Sequence, residues 1–210
     1  MPTSSRAEAK PGGALPALRA ALLVGGASSR MGTPKQLLAI EGETFAERIA
    51  RTAERLTERL VICGAGELPA PLAGATRVAD AAGVAGPLAG LLAAFAHDPE
   101  SAWLALSCDQ PLLTREALEW LAGERRSGAI AVMPRLVVDR VEPLPAIYEP
   151  AARSALAALA AKQGSARSLQ RLADHPGVRT PQVPDELASA FAGANDPAEL
   201  ARLGPRGGPG

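Results

Sequence analysis

The most informative stretch of the chain is Ala20–Lys35, which reads Ala-Ala-Leu-Leu-Val-Gly-Gly-Ala-Ser-Ser-Arg-Met-Gly-Thr-Pro-Lys. An apolar run of strand type, Leu18–Val24, ends abruptly at two glycines, and a loop of small residues follows. This loop carries Arg30, Gly32 and Lys35. Glycines let backbone N–H groups approach an anion because no Cβ intervenes. A guanidinium and an ammonium supply the positive charge that a triphosphate needs. The stretch therefore predicts a strand followed by a phosphate-binding loop.

Two commoner nucleotide-binding loops do not fit this pattern. A Walker A loop needs Gly-x-x-x-x-Gly-Lys-Ser/Thr, but five residues separate Gly26 from Gly32 and no lysine follows Gly32 directly. A dinucleotide fingerprint needs Gly-x-Gly-x-x-Gly at the start of a helix, and Gly25-Gly26 is followed by no glycine before Gly32. The remaining alternative is a strand-to-loop turn with incidental charges. Arg30 and Lys35 favour phosphate binding over that alternative.

Composition excludes several classes of protein. The 210 residues suffice for one domain with a real core. The 22 basic and 22 acidic residues cancel, which predicts no general attraction to nucleic acid or to a membrane surface. We expect a disordered leader over residues 1–16, a single domain over 17–203 and a disordered tail over 204–210.

The chain shows no export signal and only two cysteines, Cys63 and Cys108, which favours a cytoplasmic protein.

Strand-like apolar segments alternate with helical patterns along the chain. The predicted strands are Leu18–Val24, Leu60–Cys63, Arg77–Ala79, Ala102–Ser107, Ala129–Met133, Leu144–Tyr148 and an edge strand Val178–Val183. The predicted helices are Glu43–Thr57, Pro87–His97, one from Thr114 to Arg125, Pro150–Lys162, Ser165–Ala173 and Asp196–Leu203. Thr44 with Glu47 predicts a capping box. The alternation indicates an α/β fold of three layers, with a mostly parallel sheet and helices on both faces.

Three candidate groups follow predicted strands: the glycine loop that begins at Gly25, then Asp80, then Asp109. Ligands of such folds bind at the carboxyl ends of the strands, so these groups should converge on one edge of the sheet. A carboxylate at Asp109 cannot be buried unpaired. A hard cation such as Mg²⁺, which takes one or two carboxylates plus substrate phosphates, is a natural partner. The alternative for both aspartates is a turn or helix-capping role.

The run Gly86–Gly90 enters a predicted helix whose first N–H groups could hold a phosphate or the edge of a base. Close packing of helix on sheet is the alternative use of these small residues. Together these parts suit nucleotidyl transfer, in which a phosphate attacks the α-phosphorus of a nucleoside triphosphate. Lys35 and Arg30 would neutralise the triphosphate, and Asp109 would hold the metal.

The segment Leu23–Leu38 resembles the first signature of the MobA-like family of molybdenum cofactor guanylyltransferases. That signature runs Leu-Ala-Gly-Gly-x-Ser-x-Arg-Met-Gly, followed by Lys and Leu-Leu. Further segments resemble the family in the family's own order across Leu18 to Leu203: Gly86–Gly90, Cys108–Leu112, Glu142–Tyr148 and Asn195–Leu200.

The resemblance implies a Rossmann-like nucleotidyltransferase of the nucleotide-diphospho-sugar transferase type. Its reaction would join GMP from GTP to the terminal phosphate of molybdenum-molybdopterin, with Mg²⁺ as cofactor. Further partners would be molybdopterin-delivery proteins and acceptor molybdoenzymes. Carried over to this chain, the catalytic residues are Lys35, Arg30 and Asp109, with Asp109 as the metal ligand. The nucleotide-contacting residues are Val24, Gly25, Gly26, Gly32, Lys35, Asp80, Pro87, Leu88 and Gly90.

The chain also departs from the family. Val24 stands where alanine is usual, and Cys63 stands near the place of an asparagine. Glu142 occupies the place of a histidine, and its carboxylate would repel a phosphorylated pterin unless it is paired. The alternatives are a CTP-dependent molybdopterin cytidylyltransferase, a sugar-phosphate nucleotidyltransferase and a non-catalytic nucleotide-binding cofactor chaperone. The paired glycines and the Pro-Leu-Ala-Gly run favour GTP.

Overall fold

The computed structural model describes residues 14–25, 34–137, 140–162, 164 and 168–193. The strands are β1 (Leu18–Leu23), β2 (Ala39–Ile40), β3 (Glu43–Thr44), β4 (Leu60–Cys63), β5 (Thr76–Val78), β6 (Ala102–Ser107), β7 (Ala131–Val132), β8 (Arg135–Val137), β9 (Arg140–Val141), β10 (Ala146–Tyr148) and β11 (Val178–Arg179). The α-helices are α1 (Phe45–Glu54), α2 (Pro87–His97), α3 (Arg115–Gly123) and α4 (Arg153–Ala160). No helix in these ranges is long and apolar enough to cross a membrane.

A seven-stranded sheet forms the middle layer, in the order β11-β7-β10-β6-β1-β4-β5. All neighbouring strands pair in parallel except β10, which runs antiparallel to both β6 and β7. β1 lies near the centre, where Leu22 is in register with Ile62 of β4 and Leu106 of β6. The prediction of a mostly parallel sheet is confirmed. The short pairs β2–β3 and β8–β9 form two separate antiparallel hairpins.

Side chains that alternate along the strands divide the core into two. On β1, Ala20 and Leu22 face one side, where they pack with buried residues of α1 and α3. Ala21 faces the other side, where it packs with α2 and α4. Trp103 and Tyr148, both fully buried, belong to this second core. The sheet is therefore covered on both faces, as the alternating sequence pattern predicts.

Capping residues define where two of the helices begin. The hydroxyl of Thr44 accepts a hydrogen bond from the Glu47 N–H, and the Glu47 carboxylate accepts one from the Thr44 N–H at 2.8 Å. The predicted capping box is thus confirmed. Thr114 caps α3 by accepting from the Ala117 N–H. These bonds satisfy N–H groups that have no partner within the helix.

Two predicted elements differ from the structure, and a third cannot be compared with it. In the described part of the predicted helix Ser165–Ala173, the chain instead forms a 3₁₀-helix, Leu169–Asp174. The predicted edge strand Val178–Val183 pairs with β7 only at its first two residues, because Pro181 has no N–H to donate. Beyond that point the chain turns to Arg135, whose carbonyl accepts from the Val183 N–H. The predicted helix Asp196–Leu203 lies outside the described residues.

A buried ion pair anchors the amino end of β1. The guanidinium of Arg125 donates to both carboxylate oxygens of Glu149, at 2.7 and 3.0 Å, and to the carbonyl of Pro16 at 2.8 Å. Both charged side chains are less than a tenth exposed. The pair ties the segment before β1 to the region after β10, at the end of β1 remote from Asp109.

Candidate active site

A cleft of about 530 Å³ opens at the carboxyl ends of β1, β4 and β6. The residues that line it come from the turns after these strands, from the start of α2 and from the segments 140–144 and 191–193. Predicted site residues that line the cleft are Val24, Gly25, Lys35, Asp80, Pro87, Gly90 and Asp109. The expected convergence of Gly25, Asp80 and Asp109 on one edge of the sheet is confirmed. Arg30, Gly26 and Gly32 lie outside the described residues.

The turn after β1 forms one wall of the cleft. Val24 continues the line of the strand, and its N–H donates to the carbonyl of Cys63 at 2.8 Å. Gly25 has a φ of +125°, a conformation that side chains of L-residues rarely adopt. Gly64, after β4, passes so close to β1 that a Cβ there would lie 1.9 Å from the Val24 carbonyl oxygen. Only glycine fits at position 64, and this close approach holds the two strand ends together.

Asp109 lies two residues beyond the end of β6 and lines the cleft. The hydroxyl of Ser107 donates to the Oδ1 atom of Asp109. Burial raises the pKa of the Cys108 thiol to about 12, the charge of Asp109 adds to that rise, and the ammonium of Lys35 opposes it. Lys35 and Asp109 both line the cleft. The cleft therefore contains a cation and a carboxylate.

Asp80 packs against the start of α2. A Cβ on Gly90 would lie 2.8 Å from a methyl carbon of Leu23 and 3.4 Å from the Oδ1 atom of Asp80. The absent side chain at Gly90 therefore makes room for both neighbours. Burial raises the pKa of the Asp80 carboxyl. A carboxylate accepts hydrogen bonds, so Asp80 offers acceptors to ligand O–H or N–H groups beside the helix start.

Leu88 is the exception among the described candidate residues. Its side chain is buried in the core that α2 and α4 share, and it does not line the cleft. Successive residues of a helix point about 100° apart, so Pro87 and Gly90 can face the cleft while Leu88 faces the sheet. A side-chain contact between Leu88 and a nucleotide in this cleft is thus not supported.

The far wall of the cleft consists of residues 140–144 and 191–193. It contains residues that were not predicted from the sequence to be site residues. Arg140 and Glu142 form an ion pair at 2.6 Å, and Gln110, Leu144 and Phe191 lie beside it. Gln110 could have been found from its place next to Asp109. Arg140 carries no such signal, because the pairing of β8 with β9 brings it to the cleft. Gln36, next to Lys35, is buried and donates to the Glu67 carbonyl at 3.1 Å.

The side chains of the cleft provide few ligands for a metal ion. Among the described residues, no group of three or more His, Cys, Asp and Glu side chains could hold a metal on its own. Mg²⁺ keeps several waters and usually takes only one or two carboxylates together with substrate phosphates. Asp109, half-buried in the lining of the cleft, provides a hard oxygen ligand of that kind. The cleft therefore fits Mg²⁺ that is bound jointly with a nucleotide and does not form a complete protein cage.

Comparisons with known proteins agree with this geometry. The MobA-like NTP transferase domain matches residues 20–198. A probable molybdenum cofactor guanylyltransferase of Opitutus terrae is 34% identical over 194 residues, which cover 89% of this chain and 94% of the relative. The protein of the same name from Deinococcus radiodurans is 32% identical over 191 residues, 90% of this chain and 95% of the relative.

A solved structure shares the fold as well. Molybdopterin-guanine dinucleotide biosynthesis protein A from Archaeoglobus fulgidus superimposes with a TM-score of 0.71 at 25% sequence identity. The match covers 88% of this chain and 96% of that one. The family match spans Gly25, Lys35, Asp80, the start of α2 and Asp109, all of which contribute to the cleft. The chain belongs to the MobA-like NTP transferase family of nucleotidyltransferases.

Proposed function

We propose that this chain transfers GMP from GTP to the phosphate of molybdenum-molybdopterin and releases pyrophosphate, with Mg²⁺ as its cofactor. The observation that carries the proposal is the meeting of three parts in one cleft: the turn after β1 with Lys35, the carboxylate of Asp109, and Asp80 beside the start of α2. Relatives at 32% and 34% identity bear the name probable molybdenum cofactor guanylyltransferase, which supports this choice of substrates.

The nucleotide is proposed to lie along the wall formed by β1, β4 and α2. Its triphosphate would meet the backbone N–H groups of the glycine loop and the ammonium of Lys35. The N-terminus of α2 adds N–H groups and the positive end of a helix dipole. Asp80 would accept hydrogen bonds from the nucleoside, because its carboxylate faces the same wall.

The chemical step needs no covalent intermediate on the protein. An oxygen of the acceptor phosphate forms a bond to the α-phosphorus of GTP. The bond from that phosphorus to the oxygen that bridges the α- and β-phosphates breaks, and pyrophosphate leaves with the electron pair. The chain would align the attacking and leaving oxygens and stabilise the charge on the others. Lys35 would serve this role toward the triphosphate.

Asp109 is proposed to be the ligand of Mg²⁺. When bound, the ion polarises phosphoryl oxygens and neutralises their charge. The Ser107 hydroxyl, which donates to the Oδ1 atom of Asp109, would orient the carboxylate. Residues that orient a ligand in this way tune metal affinity as well as geometry.

The acceptor is proposed to bind against the opposite wall, where Arg140 supplies a positive charge. A phosphate monoester carries up to two negative charges, and a guanidinium matches its geometry. Arg140 also pairs with Glu142, so the carboxylate in that wall does not face the acceptor uncompensated. The two walls would thus hold two phosphorylated substrates on either side of Asp109.

The test combines purified chain, Mg²⁺ and molybdenum-molybdopterin with GTP, CTP, ATP or UTP in turn, and follows both pyrophosphate release and dinucleotide formation. The proposal expects turnover with GTP, little with the other nucleotides, and none after the Mg²⁺ is chelated. Turnover with CTP would instead establish a cytidylyltransferase. GTP binding without any turnover would favour a cofactor chaperone. Transfer to a sugar phosphate would replace the proposed acceptor.

A further inference from the structure

The amide of Gln110 connects three segments that build the cleft. Gln110 follows Asp109 directly and is 95% buried. Its Nε2 atom donates to the carbonyl of Leu144 at 3.0 Å and to the carbonyl of Phe191 at 3.2 Å. These partners lie 34 and 81 residues away along the chain. One side chain thus joins the Asp109 turn to both parts of the far wall.

The hydrogen bonds settle the orientation of this amide. Both N–H groups of the side chain are used, one for each carbonyl. A flipped amide would place its oxygen against two carbonyl oxygens, which cannot donate. The Oε1 atom of Gln110 is buried and finds no hydrogen-bond partner within the described part of the chain. An unsatisfied buried acceptor destabilises a fold, so an apolar side chain would fill this position at a lower free-energy cost. The role of the amide therefore lies in the two hydrogen bonds that it donates.

Each segment of the far wall is also anchored from behind. The phenol of Tyr148 donates to the Pro143 carbonyl at 2.8 Å, next to Leu144. The ring of Phe191 packs edge-on against Trp120 of α3, with centroids 5.9 Å apart. The segments of the far wall are therefore folded independently of Gln110. The hydrogen bonds from Gln110 fix the distance between this wall and Asp109.

The wall approaches Asp109 closely at one further point. A Cβ on Gly193 would lie 3.4 Å from the backbone oxygen of Asp109. The segment that Gln110 holds through Phe191 thus continues directly over the Asp109 turn. A small shift of this segment therefore changes the distance between Asp109 and the far wall.

We infer that Gln110 is a positioning residue that holds the acceptor wall, residues 142–144 and 191–193, at its working distance from Asp109. The acceptor's identity rests on the proposed function, but the tether itself does not. Misplacement of a substrate by about 1 Å can lower the rate by about 10²-fold. Loss of the tether should therefore impair use of the acceptor and leave GTP binding to the other wall intact.

The test uses Gln110→Met, which keeps the length of the side chain and removes both donors and the orphaned oxygen. We expect the KM for molybdenum-molybdopterin to rise about tenfold or more, while the dissociation constant for GTP changes by less than about twofold. Amide hydrogen exchange should quicken together in residues 140–144 and 185–193 and stay unchanged in β1 and β4. The midpoint of thermal unfolding should shift little. The loss of two hydrogen bonds destabilises the fold, whereas removal of a buried oxygen without a hydrogen-bond partner stabilises it.

The matched control is Gln182→Met. Gln182 is exposed and donates to a single strand carbonyl, that of Leu136, at 3.1 Å outside the cleft. It should leave exchange at 140–144 and acceptor KM unchanged. Gln110→Asn, one methylene shorter, provides a second variant should the methionine variant fail to fold, and it should show the same selective defect.

Unchanged exchange in both wall segments would overturn the tether, whether or not the enzyme turns over. An equal loss of GTP affinity and acceptor use would make Gln110 a general structural residue, which also contradicts the inference. If wild-type chain makes no dinucleotide from GTP and this acceptor, the proposed function fails instead, and the exchange comparison still decides on Gln110.

Discussion

The guanidinium of Arg140 donates to the carboxylate of Glu142 across 2.6 Å in the lining of the cleft. The side chain of Arg140 is 64% exposed and that of Glu142 is 19% exposed. An exposed ion pair contributes little to stability, so its consequence is electrostatic. It compensates a carboxylate that would otherwise repel a phosphorylated substrate. The pairing that the sequence analysis required for Glu142 is therefore present.

Arg140→Gln should weaken binding of the acceptor more than that of GTP. The substitution removes a cation from the cleft and leaves the Glu142 charge uncompensated, so we expect the KM for the acceptor to rise about tenfold. Steady-state kinetics at low and high salt measure this, and the defect should shrink as salt screens the repulsion. The double variant Arg140→Gln, Glu142→Gln should recover part of the loss. A double variant no better than the single one would show that Glu142 exerts no repulsion.

Asp109→Ala should lower kcat by at least about 10²-fold, because one preorganised charge contact to the reacting phosphates is lost. The dependence on Mg²⁺ concentration should shift to higher values, and this shift can be followed by metal titration of the turnover rate. Asp174→Ala removes an exposed carboxylate outside the cleft lining and is the matched control. An Asp109→Ala enzyme with full activity would exclude Asp109 as the metal ligand.

Arg125→Met should destabilise the fold by about 3–5 kcal/mol, because it leaves Glu149 as a buried charge without its partner. Denaturant unfolding followed by circular dichroism measures the change in free energy. Arg115→Met is the comparison, since Arg115 pairs with Glu119 at a similar 2.6 Å but with both side chains about half exposed. That variant should lose only about 0.3–0.5 kcal/mol. Equal losses would mean that burial of the Arg125 pair has no effect on its energy.

The two cysteines should resist alkylation in the native protein at pH 7 to 9. Burial raises the pKa of both Cys63 and Cys108 from 9.0 to about 12, so the reactive thiolate is scarce in that range. Because the thiols ionise near pH 9 in the unfolded chain but only near 12 in the folded protein, the folded state loses stability as the pH rises from about 9 toward 12. Mass spectrometry after iodoacetamide treatment, with and without denaturant, checks the prediction. Rapid native labelling at pH 8 would contradict it.

Local patterns in the sequence were sufficient for much of the fold. The apolar run around Leu22 predicts a strand, and Thr44 with Glu47 predicts a helix start, because both patterns depend on residues a few positions apart. The edge on which Gly25, Asp80 and Asp109 meet also follows from sequence. Parallel strands place their carboxyl ends together whatever their order in the sheet.

Other features depend on contacts between distant residues. No local pattern shows that β10 enters the sheet antiparallel, because its direction is set by the neighbours β6 and β7. The prediction of an α-helix over Ser165–Ala173 was wrong in its described part, where the chain forms a 3₁₀-helix. Over so few residues, the periodicity of the two helix types cannot be distinguished in the sequence.

Periodicity and residues adjacent in the chain were enough to predict the layers of the fold, the family signature and the edge of the sheet where Gly25, Asp80 and Asp109 meet. The far wall of the cleft, in contrast, depends on tertiary contacts. The pairing of β8 with β9 carries Arg140 to the cleft, and the reach of Gln110 to Leu144 and Phe191 spans up to 81 residues. Such contacts exist only after the chain has closed those long loops, so no short stretch of sequence contains them.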